Sequence, residues 1–237
     1  MNFGCNGTLS VLAGSCPPSQ FLSQEGAAVA SIAQTVTDVA GNTSASSNVV
    51  TVKLDRTAPL LSVNMPPANI VLNASHDFAL NATDALSGIA SQSCGAINTG
   101  TLGARTVTCT AVDRAGNTVS RSATYRVVYD FVPLSAPLSN PGQLYLVEAP
   151  RSVPFEWRVR DANGAAITNA TLTQTIVTQV TCPNTGIPLP TRPAGETDTF
   201  ENFGDGRYRR NWWINPTNPI SCLRLDVVLN DGTTHSA

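Results

Sequence analysis

Cys5, Cys16, Cys94, Cys109, Cys182 and Cys222 are the most chemically versatile side chains of this chain. Cysteines can form disulfides, ligate zinc or act as nucleophiles. A four-cysteine zinc site wants close pairs, with about two to four residues between partners. No two of these cysteines are that close, and the two histidines, His76 and His235, are far apart in sequence. Disulfides are the better expectation, and they imply an oxidising, extracytoplasmic setting. Spacing alone does not fix connectivity. The cysteines fall two to a proposed domain, so Cys5–Cys16, Cys94–Cys109 and Cys182–Cys222 are the economical pairs.

Aspartates are the next candidates. Asp38 and Asp113 sit in a phrase that occurs twice, 75 residues apart: Asp38-Val39-Ala40-Gly41-Asn42-Thr43 and Asp113-Arg114-Ala115-Gly116-Asn117-Thr118. Each copy lies between alternating apolar or Thr-rich runs, as a hairpin turn does. The carboxylate is expected to accept backbone N–H bonds from its own turn, with Gly in the left-handed conformation. The other reading is a calcium ion bridging domains through Asp38, Asp55, Asp84 or Asp113. Calcium takes roughly six to eight oxygens, and there is no Asp-x-Asp-x-Asp loop to supply them.

Tyr208, Trp212 and Trp213 could form a platform on which a sugar ring stacks. The competing expectation is that Trp157 and Trp213 fill a β-core while Trp212 points outward or covers an edge. Arg207, Arg209 and Arg210 form the densest basic patch, read as a solvated strand face. No catalytic constellation stands out. His76 is merely followed by Asp77, and Glu196, Asp198, Glu201 and Asp205 occupy a stretch that reads as loop. Gly-x-Ser-x-Gly, His-Glu-x-x-His and phosphate-binding glycine loops are missing. The chain is therefore expected not to be an enzyme.

These side chains need a scaffold, and composition makes it all-β. Thr and Val favour strands, while Asn, Gly, Pro and Ser punctuate them. Strands are expected from Ala27 to Ala33, continuing at Val36, and around Val50 and Val52. Further strands are expected at Leu61 and Val63, Ile70 to Leu72, Phe78 to Ala82, Thr106 to Val112 and Val119 to Val128. In the last part they fall at Ser152 to Arg160, Ile167 to Val180, Arg207 to Ile214 and Cys222 to Leu229. Residues 131–142 read as a Pro-rich connector and 183–202 as a long loop. The repeat and a change of composition divide the chain into 1–56, 57–130 and 131–237. Residues 1–56 have no counterpart of the segment that opens the second repeat, so the first domain reads as truncated. The chain carries 13% charged residues, a net charge of -2 and one lysine. That gives little electrostatic footing for nucleic acid. No run approaches the ~20 apolar residues of a membrane span. Met1 to Cys5 does not read as an export signal, so cysteines of this type suggest a piece of a longer exported protein.

Residues 1–130 resemble bacterial immunoglobulin-like repeats of the hyaline-repeat type. The resemblance rests on Asp55-Arg56-Thr57-Ala58-Pro59, on Ala82-Thr83-Asp84-Ala85-Leu86-Ser87-Gly88-Ile89 and on the two Asp-x-Ala-Gly-Asn-Thr phrases. Cys5 and Cys16 match a cysteine pattern common in that family. Residues 131–237 resemble the small C-terminal module, marked by a Pro-x-Lys-Phe phrase, that often follows such repeats. Here Val153-Pro154-Phe155-Glu156-Trp157 stands at that phrase, with Glu156 at the lysine position. The resemblance implies tandem immunoglobulin-like β-sandwiches plus a C-terminal β-domain, attached to a longer secreted or surface protein. Expected partners are a cell-surface protein or polysaccharide and the remaining domains of the parent chain. The expected role is structural, adhesive or spacing; the alternative is a carbohydrate-binding accessory region of a secreted hydrolase.

Overall fold

A computed structural model describes residues 1–7, 10–136, 151–180, 191–193, 199–214 and 222–236. They form an all-β protein, with no helix among the described residues. The strands are β1 (Gly26–Ala30), β2 (Thr51–Leu54), β3 (Leu60–Val63), β4 (Asn69–Val71), β5 (Leu80–Thr83), β6 (Ile89–Cys94), β7 (Gly103–Asp113) and β8 (Thr118–Val128). They continue with β9 (Asp130–Pro133), β10 (Arg151–Arg160), β11 (Leu172–Val180), β12 (Thr191–Pro193), β13 (Thr199–Asn202), β14 (Arg207–Ile214), β15 (Cys222–Leu229) and β16 (Thr234–Ser236).

The chain forms two compact units, drawn differently from the three sequence intervals. The first comprises Met1–Asn64, Phe78–Gly95 and Thr108–Ser122; the second comprises Met65–Asp77, Ala96–Val107 and Ala123–Ala237. The boundary cuts through β7 and β8.

In the first unit β1 pairs antiparallel with β2, β3 with β5, and β6 with the outer half of β7. Cys94 and Cys109 are direct cross-strand partners and form a disulfide; Cys5 and Cys16 form another. Leu61, Cys109 and Ala111 are buried, following the alternation of their strands. The expected strand through Ala33 and Val36 is cut short, because β1 ends at Ala30. Serine hydroxyls cause this by taking carbonyl places in the ladder. Val50 N–H donates to Ser31 Oγ at 2.9 Å, Gln34 N–H to Ser47 Oγ at 3.0 Å and Val36 N–H to Ser44 Oγ at 3.1 Å. The backbone bonds returned across these pairs stay at 2.8–2.9 Å, so each pair keeps one backbone bond and one hydroxyl bond, and the regular pairing lapses.

The second unit is built on a sandwich. One sheet has the order β13-β14-β10-β9 and the other β12-β11-β15-β16. Their facing residues form one core: Phe155, Trp157 and Val159 of β10 and Tyr208 and Trp212 of β14 meet Val177 of β11 and Leu225, Val227 and Leu229 of β15. The β10 face matches the alternation of Ser152 to Arg160. β9 corrects the expected connector. Asp130 to Pro133 pair with Arg160 to Trp157, since Phe131 and Val132 can alternate like any strand. β12 and β13 likewise correct part of the expected 183–202 loop; Thr199-Phe200-Glu201-Asn202 pairs with Asn211 to Tyr208. Asn211 Nδ2 fastens that edge, donating to Thr199 Oγ1 at 3.0 Å and Glu201 Oε1 at 3.2 Å. Cys222 is disulfide-bonded; its expected partner Cys182 lies outside the described residues.

Candidate metal centre and aromatic face

The duplicated phrase folds as a hairpin turn in both copies. Asp38 N–H donates to Asn42 O at 3.0 Å and Gly41 N–H to Asp38 O at 3.0 Å; Asp113 N–H and Gly116 N–H make the same bonds at 3.0 and 3.3 Å. Gly41 has φ of 89° and Gly116 of 94°, the left-handed conformation that a Cβ disfavours. This is a three-residue hairpin loop, a type I turn closed by a left-handed residue. The Asp side chain locks it. Asp113 Oδ1 accepts from Ala115 N–H at 2.9 Å and Asn117 N–H at 2.8 Å, and Oδ2 from Asn117 Nδ2 at 2.8 Å. Asp38 accepts from Asn42 N–H at 2.8 Å, from Asn42 Nδ2 at 3.0 Å and from the Ser10 hydroxyl. The Ser10 hydroxyl, with help from Asn42, lowers the Asp38 pKa to about 2.

The turn recurs where the sequence does not repeat. Asp161 N–H donates to Ala165 O at 3.0 Å and Gly164 N–H to Asp161 O at 3.0 Å. Asp161 Oδ1 accepts from Asn163 and Ala165 N–H, both at 2.9 Å. Its Oδ2 accepts from Asn73 Nδ2 at 2.8 Å, and that bond, with those from its own turn, holds the carboxyl below the usual range.

Three of the four sequence-selected aspartates come together. Asp55 follows β2, Asp84 follows β5 and Asp113 ends β7, and one carboxylate oxygen of each lies within 4.8 Å of the others. Asp38 does not join them. Like charges this close repel, and N–H donors offset the repulsion. Asp55 accepts from Thr57 N–H at 3.1 Å and Ser87 N–H at 2.9 Å. Asp84 Oδ1 accepts from Leu86 N–H at 3.1 Å, Gly88 N–H at 2.8 Å and the Ser87 hydroxyl at 3.2 Å. Arg114 N–H donates to Gly88 O at 2.9 Å, tying two of these turns together. The Ser87 side chain is the main cause that holds Asp55 below the usual carboxylate range. An all-oxygen donor set of this kind suits a hard cation such as calcium rather than zinc. The three carboxylates alone fall short of the roughly six oxygens calcium needs. What they do in the fold is anchor three turns at once.

The aromatic platform needs correction. Tyr208 and Trp212 are buried at 1% and 9% exposure, while Trp213 is 43% exposed. Trp157 is buried as expected, while the assignments of Trp212 and Trp213 are the reverse of those expected. β14 alternates, so Tyr208 and Trp212 share the inner face, while Arg207, Arg209, Asn211 and Trp213 share the outer one. Tyr208 also serves the interior as a polar pin: its hydroxyl donates to Ile167 O at 2.8 Å and accepts from Ala170 N–H at 3.0 Å. Burial raises its pKa. On the outer face Arg209 bridges Glu156 at 2.6 Å and Glu201 at 3.5 Å, and Arg207 bridges Asp205 at 2.7 Å. Both guanidiniums lie over the Phe203 ring, 5.3 and 5.1 Å from its centroid. Arg207 and Arg209 of the expected solvated arginine face therefore lie on an ion-paired face, with Trp213 and Phe203 as its exposed rings, while Arg210 alternates to the side of Tyr208 and Trp212.

His235 stacks on Phe131, centroids 3.5 Å apart, and its Nε2 lies 2.9 Å from Thr233 Oγ1. Burial lowers its pKa, partly offset by Asp231. His76, Asp130, Arg160 and Asp161 line an open cleft of about 500 Å³ in the second unit, with Ile70 and Pro67 as apolar wall. A scan against protein-family models finds no match for the chain, and a search of curated proteins finds no relative.

Proposed function

We propose that the chain is a non-catalytic spacer and adhesive segment of a longer exported protein, an array of β-modules working in an oxidising extracellular setting. The observation that carries this reading is the use made of the acids. Asp38, Asp113 and Asp161, which could otherwise serve chemistry, are each committed to the backbone amides of a hairpin turn of one kind. Two disulfides fit an oxidising environment, and no helix among the described residues is long and apolar enough to cross a membrane. Carbohydrate binding, the other role considered, loses Tyr208 and Trp212 as carriers because both are buried.

The compartment is tested by disulfide mapping. The chain, exported to an oxidising compartment and digested without reductant, is expected to yield linked peptides for Cys5–Cys16, Cys94–Cys109 and Cys182–Cys222. A folded chain with free thiols at those positions would remove the extracellular setting on which the reading rests.

A further inference from the structure

The first repeat exposes what the second buries. At the 75-residue offset Ile32 corresponds to Val107 and Val50 to Tyr125. Val50 is 42% exposed against 2% for Tyr125; Ile32, 71% exposed, has turned to the opposite face, because Ser31 and not Ile32 stands opposite Val50. Val36 and Val52 are half-buried where Ala111 and Val127 are wholly buried. Among the described residues of 1–56 only Ser31 is buried.

The second repeat contains the segment that covers the corresponding edge. β4 runs parallel along β8, with Asn69, Ile70 and Val71 opposite Arg126, Val127 and Val128. Arg126 N–H donates to Ala68 O at 2.8 Å and Leu72 N–H to Val128 O at 2.7 Å. The same offset places Thr51, Val52 and Lys53 of β2 at that edge in the first repeat. Among the described residues the β1–β2 sheet has only those two strands, so β2 is an edge. Val29 pairs with Val52, and Ser31 N–H donates to Val50 O at 2.9 Å. By alternation the backbone groups of Thr51 and Lys53 point away from β1. Charge also matches. Residues 11–54 carry three charged side chains, Glu25, Asp38 and Lys53, and the segment Ala58–Leu72 carries none. A neutral strand thus loses no charge solvation on docking there.

We infer that the outer edge of β2, with Val50 leading into it, is a strand-accepting site, and that its occupant is an uncharged opening segment of a further repeat, with the chemistry of Ala58–Leu72. Backbone bonds to Thr51 and Lys53 supply affinity, and the apolar side chains of Val50 and Val52 supply register. The site rests on the module-array reading and says how modules of that array join. An exposed edge of this kind, guarded only by Lys53, otherwise invites unspecific pairing.

The probe is a synthetic peptide with the sequence of residues 58–72, added to the full chain while amide hydrogen exchange is followed residue by residue. Thr51 N–H is expected to slow by on the order of tenfold or more at saturation, with Arg126 and Val128 unchanged. A Thr51→Pro chain, which loses only an outward N–H, is expected to fold and not to bind. A peptide carrying Ile70→Asp is expected not to bind either. Unchanged exchange at Thr51 would overturn the site, as would protection at Arg126 instead, which marks exchange into the second repeat. Protection of Thr51 by concentration-dependent dimers without peptide would assign the edge to a second copy and overturn it too. Disulfide mapping does not depend on the peptide, so failure here is separable from failure of the array reading.

Discussion

Asp113→Ala is expected to destabilise the chain by about 3 kcal/mol, read as a lowered denaturant midpoint. Asp113 is 1% exposed and accepts three hydrogen bonds from its own turn. A bond to a charged acceptor contributes roughly 1.5–3 kcal/mol, but the three act as one unit and do not add. Ala115 is exposed, so its freed N–H can rehydrate, which holds the total near the value of two such bonds. Asp113→Asn keeps one acceptor oxygen and is expected to cost less. Asp38→Ala is expected to cost least, because its turn is open to solvent and water replaces the carboxylate. Equal melting of Asp113→Ala and the unchanged chain would contradict the anchoring role. The same pair tests the metal reading. Calcium that stabilises the unchanged chain, but not Asp113→Ala, would make Asp55, Asp84 and Asp113 a ligand set as well as turn anchors.

Trp157→Ala is the second large effect, at about 3–5 kcal/mol. Trp157 is wholly buried, with ring centroids of Phe131, Phe200 and Tyr208 at 5.9, 6.2 and 6.2 Å. Its removal leaves a cavity between rigid strands that cannot collapse to fill it. Trp213→Ala, at the residue next to Trp212 but on the outer face, is expected to stay within about 1 kcal/mol. Denaturant melts of both variants check the inversion of the tryptophans directly. A larger loss from Trp213→Ala would return Trp213 to the core and leave the outer face without its exposed ring.

Much of the fold was legible because the signals were local. The Asp-x-Ala-Gly-Asn-Thr turns need only a left-handed glycine and a short acceptor side chain, and both lie within five residues. Phe155, Trp157 and Val159 announce their face by simple alternation. Tyr208, Trp212 and Trp213 were harder. Consecutive tryptophans must point oppositely in a strand, but which one points inward depends on the partner sheet. The gathering of Asp55, Asp84 and Asp113 was not legible at all, since it requires three strand ends to meet. Each aspartate could be picked out singly, and the separation of Asp38 could not. The lapse of pairing after Ala30 was hidden for a related reason: Ser31, Ser44 and Ser47 displace backbone partners only when a facing amide is in place.

Single-molecule extension of the full chain between inert handles tests the central claim, the proposed spacer built from a series of disulfide-pinned β-modules. A folded array predicts discrete force peaks, followed by an extended length that is short by the pinned loops. Reduction should then lengthen the extended chain by about 35 Å for the 11-residue separation of Cys5 and Cys16 and about 50 Å for the 15-residue separation of Cys94 and Cys109. The Cys182–Cys222 pair would add about 140 Å. Extension without force peaks, or a length that reductant leaves unchanged, would contradict it.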